Sequence, residues 1–281
     1  MLFTIRHHTH YRYSKSVYLK PHRLRFRPRD DGSQEIVDYR LDLTPRPAGL
    51  DDHLDLEGNR VTQAWFEQET DCLDIELSLK VRTRRHNPFN YVLAPEATRL
   101  PFDHAHETRC ARAYLERIHI DDAVTAFAAE LSLAANRETL RFLELLSQRL
   151  FADFNHGHRE FGGPQDPAFT LLHRSGACRD LAVLFVDCCR AEGLAARFAS
   201  GYQKGNLQSE CRHLHAWPEV YLPGAGWRGY DPTHGEAVAD AHVTIAAAAD
   251  PRDSMPVTGL FVGQGATSSL NYTVEIAVAE D

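Results

Sequence analysis

Residues 175–193 read SGACRDLAVLFVDCCRAEG, and the passage from loop to helix inside them decides the fold. From Cys178 to about Glu192 the apolar residues Leu181, Leu184, Phe185 and Cys188 recur at helical spacing, so one face of a helix is buried, and Gly193 supplies the stop. Cys178 therefore stands where the helix begins. The first turn of a helix offers unpaired N–H groups and about half a unit of positive charge, both of which favour thiolate over thiol. The thiolate is the nucleophilic form. Gly176 lets the backbone come close and leaves room for a substrate carbonyl. Cys188 and Cys189, mid-helix among core residues, read as small buried thiols.

Downstream, short strand-like runs cover residues 194–202, 213–222 and 227–230. His215 shares a strand face with Trp217 and Glu219, and an imidazole there has the chemistry of a general base and acid. His213 lies on the same face, so periodicity alone leaves both histidines open. Asp231 ends the next run and Pro232 stops it; a carboxylate at that point can fix an imidazole tautomer. Taken singly, each residue has an ordinary structural reading: a buried thiol, a hydrogen-bonded strand histidine, a turn-initiating Asp-Pro. A nucleophile at a helix start, a base on a strand and an acid on the following strand make a site.

Upstream, Leu140, Leu143, Leu146, Leu150, Phe151 and Phe154 predict an apolar helical stripe, which Gly162-Gly163-Pro164 interrupts. Residues 84–120 show no clear period and read as a linker. Residues 1–85 read as strands. Phe3, Ile5, His7, Thr9, Tyr11 and Tyr13 alternate with polar neighbours, and Leu73, Ile75, Leu77, Leu79 and Val81 take one face while Asp74, Glu76, Ser78, Lys80 and Arg82 take the other. Asp31-Gly32 and Gly58-Asn59 are turn signals. The tail from Leu270 to Val278 alternates again. The expected architecture is α+β: an N-terminal antiparallel β-sandwich over 1–90, a linker over 91–120, and a catalytic α+β core over 121–281.

Composition bounds the function. The chain has 281 residues, 43% of them hydrophobic and 25% charged, which suits a globular protein with a sizeable core. Its formal charge of −8 argues against a nucleic-acid partner. No secretory leader and no bilayer-spanning run is visible, so no membrane partner is expected. The six cysteines (72, 110, 178, 188, 189 and 211) form no CxxC pair, which points to free thiols in a reducing cytoplasm.

Three fragments carry a resemblance: Ser175 to Asp180, His215-Ala216-Trp217-Pro218-Glu219-Val220-Tyr221, and Gly226-Trp227-Arg228-Gly229-Tyr230-Asp231-Pro232-Thr233. In order and spacing they resemble the three motifs of the transglutaminase-like superfamily. The β-rich start resembles the N-terminal domain of its bacterial cysteine protease and amidase members. Asp166-Pro167 and the run from Arg197 to Tyr202 resemble it as well. The resemblance implies Cys178 as nucleophile, His215 rather than His213 as base, and Asp231 as orienting carboxylate, with Gly176, Asp180, Tyr202 and Trp217 near the site and no metal or cofactor. It implies a papain-like Cys-His-Asp core acting on a peptide or protein amide through an acyl-enzyme, in hydrolysis more than cross-linking. The sequence departs from the bacterial pattern at Val183, where His is frequent, and at Ala248-Ala249, where Gly-Arg precedes the Asp.

Three other readings compete. Arylamine N-acetyltransferases share the Cys, His, Asp order, but they have Arg-Gly-Gly before a Cys nearer the start of the chain. A zinc site could draw on His213, His215 and the many other histidines, among them His7, His8, His10, His104, His106, His156 and His158. The fold could also serve as a binding or scaffolding module with no catalysis.

Overall fold

The computed structural model describes residues 1–102, 108–159, 162–205 and 213–280; His104, His106 and Cys211 lie outside them. Strand β1 (Leu2–Leu19) is the spine of the N-terminal half. It pairs antiparallel with β6 (Glu69–Thr83), which pairs in turn with β3 (Gln34–Thr44). The register sets Phe3 opposite Val81, Ile5 opposite Leu79 and Thr9 opposite Ile75. All six are buried, so the expected alternation holds and the inward faces of both strands meet one core. A second antiparallel sheet runs β14 (Val257–Thr258), β2 (His22–Leu24), β5 (Arg60–Trp65), β4 (Gly49–Leu54).

The free edge of β1 is covered from the far end of the chain. β16 (Ser268–Ala279) pairs with β1 from Leu2↔Ala279 to Tyr13↔Ser268, and β15 (Phe261–Val262) continues the pairing at Tyr18 and Leu19. The tail that the sequence placed with the catalytic core thus completes the N-terminal sheet. Its period-two pattern carries no address, and only the unpaired edge of β1 selects where it docks.

The C-terminal half packs helices on a sheet ordered β12 (Glu236–Ala237), β11 (Gly226–Asp231), β10 (His215–Leu222), β9 (Ala196–Gln203), β13 (His242–Ala248). Its helices are α1 (Thr108–Leu115), α2 (Asp122–Ala134), α3 (Thr139–Asp153), α4 (Pro167–His173) and α5 (Cys178–Ala191). The span expected to be a linker therefore holds a short helix, α1. In α5 the stripe Leu181, Leu184, Phe185 and Cys188 is fully buried, and Gly193 closes the helix with φ +78°. In α3 the buried face is Phe142, Leu143, Leu146 and Leu150, whereas Leu140 and Phe151 are exposed, so the stripe runs one flank over from the expected one. A parallel pair, β7 (Asn155–His156) with β8 (Ser175–Gly176), fixes the loop that enters α5.

The halves share a core. Tyr202, Val243, Ile245 and Ala246 of β9 and β13 pack in one cluster with Phe3, Ile5, Leu77 and Leu79. Two buried side-chain amides seal the outer edge of β13. Gln34 donates to the Thr244 carbonyl (2.7 Å) and accepts from its N–H (3.0 Å). Asn59 does the same at Ala247, at 3.0 and 2.8 Å. Each amide replaces one residue of a missing neighbour strand. Asn59, read from sequence as half of a turn signal, is completely buried.

Candidate functional site

Cys178 is the first residue of α5, His215 the first of β10 and Asp231 the last of β11, so three element ends converge. His215 Nε2 lies 2.7 Å from Asp231 Oδ2. The His215 ring and the Ala216 backbone amide act on the Cys178 thiol, and both favour its ionised form. Asp231 is completely buried, His215 nearly so, and Cys178 keeps partial exposure.

Electrostatics separate this thiol from its neighbours. Burial pushes the Cys178 thiol up, but the hydrogen bond and charge of His215, with the Ala216 amide, bring it below the ordinary thiol value. Burial alone would lower His215; the charge and hydrogen bond of Asp231, reinforced by Cys178, raise it to about 10. Burial likewise works against the Asp231 carboxylate, yet the charge of His215 and the imidazole hydrogen bonds hold it well below the usual range. The arrangement favours a thiolate–imidazolium pair at rest. Cys188 and Cys189, fully buried, are driven far upward by desolvation.

Two further histidines, which the sequence reading passed over, meet the same carboxylate oxygen. His234 Nδ1 lies 2.8 Å and His242 Nε2 3.0 Å from Asp231 Oδ2, while the Thr233 N–H donates to Oδ1 at 3.0 Å. His234 stands three residues after Asp231 in the same turn, which is the signal that could have exposed it. His242 opens a strand on the far side of the sheet, and only the fold brings it there. His215, Asp231 and His234, and again Asp231, Glu236 and His242, set ligand-type atoms within 4.8 Å of one another. In both groups Asp231 is already engaged by imidazoles.

The other predicted residues divide. Asp180 is completely buried at the third position of α5; it accepts from the Ala177 N–H (2.8 Å), the Gln165 N–H (2.8 Å) and Arg159 (2.5 Å), and so ties down the loop before the sulfur. Gly176 is bare for this reason and not to admit substrate: a Cβ there would meet Asp180 Cβ at 2.8 Å and Thr170 Cγ2 at 3.3 Å. Tyr202 is buried beneath the cleft, its hydroxyl 2.8 Å from His7 Nδ1. Trp217 is buried between His215 and His242, with ring centroids at 5.9 and 5.1 Å. His213 sits outside β10, 2.8 Å from the Tyr272 hydroxyl and stacked on His158, whereas His215 is the histidine beside Asp231.

The sulfur opens onto a cleft of about 610 Å³. One wall is the entry loop and α5 (His158, Arg159, Cys178, Arg179). The other is the N-terminal sheet, through His7, Thr9 and Tyr11 of β1 and Leu270 and Tyr272 of β16. Among the described residues the lining holds Arg159 and Arg179 and no carboxylate, in a chain whose formal charge is −8.

Comparison with known proteins agrees with this architecture. Residues 3–82 match the family described as the bacterial transglutaminase-like N-terminal region, and residues 125–232 match the transglutaminase-like superfamily. An uncharacterized protein of Mycobacterium tuberculosis is 28% identical over 296 residues, covering 99% of this chain and 93% of its own length. A protein-glutamine gamma-glutamyltransferase of Pseudomonas aeruginosa is 38% identical over 73 residues, 24% of this chain and 11% of that protein. A solved structure from Cytophaga hutchinsonii, provisionally assigned as a cysteine protease, superposes with a TM-score of 0.74 at 21% identity, over 100% of this chain and 92% of that one, and shares the fold.

Proposed function

Because this chain belongs to the transglutaminase-like superfamily, we propose that it is a thiol-dependent amidase or protease whose catalytic triad is Cys178, His215 and Asp231. The supporting observation is the convergence of three element ends on one place: the partly exposed Cys178 among the cleft residues, His215 beside it in the cleft lining, and the buried Asp231 at 2.7 Å from the His215 ring. The Cys178 thiolate adds to the amide carbonyl carbon. The imidazolium of His215 passes its proton to the nitrogen as the C–N bond breaks, and an acyl-thioester remains on Cys178. Asp231 holds the ring and its positive charge throughout. Water, reaching a sulfur that is not sealed off, attacks the thioester as His215 takes its proton. The acid leaves and the thiolate returns. The backbone N–H of Cys178, at the tip of α5, is a donor for the oxyanion.

The test is mass spectrometry of the enzyme quenched after exposure to a library of peptide amides. An acyl adduct on Cys178 is expected, and Cys178→Ala should lower turnover by roughly 10³-fold or more, while Cys188→Ala leaves the adduct in place. An adduct on another cysteine, or full turnover by Cys178→Ala, defeats the reading. An added amine should divert little product from the free acid; an amide product in excess would favour transfer over hydrolysis.

A further inference from the structure

The outer face of the N-terminal sheet, turned away from the cleft, gathers a second group of chemically capable side chains. Period two sets His8 and His10 side by side on β1, while His7 and Thr9 point inward. The register places Asp74 of β6 opposite His10 and Cys72 opposite Arg12. His8 Nε2 and His10 Nδ1 both close on one oxygen, Asp74 Oδ1, the first at 3.0 Å and the second at shorter range. The three ligand-type atoms lie within 4.8 Å of one another. The His8, His10 and Asp74 side chains are 44%, 24% and 20% exposed, so an ion can reach them from solvent.

We propose that His8, His10 and Asp74 form a binding site for a zinc-type divalent cation that clamps β1 to β6. Two imidazoles and a carboxylate oxygen gathered on a solvent-open face offer a tetrahedral ion three donors, at bond lengths of about 2.0–2.3 Å, with the fourth place left to water; the carboxylate at the centre of the Asp231 groups is by contrast completely buried. The mixture of two nitrogens and a carboxylate oxygen suits zinc and disfavours magnesium or calcium, which prefer oxygen alone. Such a clamp would brace the strand whose other face supplies His7, Thr9 and Tyr11 to the cleft wall, at a place separate from the sulfur of Cys178.

Cobalt(II) and zinc(II) added to the chelator-treated full-length protein provide the test. Wild type should bind one equivalent of cobalt with the visible absorption of four-coordinate geometry, zinc should displace it, and zinc should raise the melting temperature. The His8→Gln/His10→Gln protein should lose the cobalt spectrum and the zinc-induced shift, as should Asp74→Asn, with far-ultraviolet dichroism showing both folded. Cys178→Ala should bind as wild type does. Failure of wild type to bind either ion at micromolar concentration overturns the proposal, as does binding that survives the double substitution and disappears in Cys178→Ala.

Discussion

At Cys178 burial and hydrogen bonding pull in opposite directions, and the hydrogen bonds win; at Cys188 burial acts almost alone. The rate of iodoacetamide alkylation at Cys178 should therefore rise through an inflection below the ordinary thiol value of 9.0. In His215→Gln that inflection should move upward, because desolvation then acts without its counterweight; an unchanged profile would show that His215 does not set the thiol. The same groups shape stability. The raised His215 contributes stability that is fully present below 6.5 and is lost as pH rises through about 10. The depressed Asp231 contributes above 3.8 and loses its share as pH falls through its lower folded value. The depressed Cys178 thiol works the other way, gaining stability as pH rises toward 9.0, so the alkaline decline in melting temperature should be read in Cys178→Ala, where no thiol titrates against it, and Asp231→Asn in that background should flatten it. Gly176→Ala should cost about 1–3 kcal/mol, since the new methyl overlaps Asp180. Cys178, His215 and Asp231 were legible because each ends an element beside a recognisable motif. His234 and His242 were not legible as partners of Asp231, because nothing local in the sequence specifies convergence across a sheet.

The elements show the same division between local and long-range information. The alternation from Leu73 to Arg82 could be read directly, since period two is a property of the strand itself. The rotation of the α3 stripe and the existence of α1 could not, because both depend on which surface the helix meets. β13 is the instructive case. It is an edge strand buried in the molecule, with two stretches of backbone satisfied by Gln34 and Asn59 from distant segments. Asn59→Ala leaves a buried N–H and C=O at Ala247 unpaired and should destabilise the protein by about 2 kcal/mol or more. Asn59→Asp should do similar damage, because a carboxylate cannot donate to the Ala247 carbonyl. Denaturant titration checks both; stability equal to wild type would mean that solvent replaces the amide.

At the scale of the molecule, the two halves are joined by a common core, so the segmentation drawn from sequence patterns does not mark independent units. Amides of β6 and β9 should report one opening free energy in native-state hydrogen exchange, whereas separable halves would give two.

The pairing of β16 with β1 carries a temporal consequence. A ribosome releases β1 and the reactive sulfur long before it releases Leu270 and Tyr272. Until those residues emerge, the nascent polypeptide holds Cys178 but only part of the cleft wall beside it. Order of synthesis thereby leaves the completion of that wall to one of the latest segments to be made.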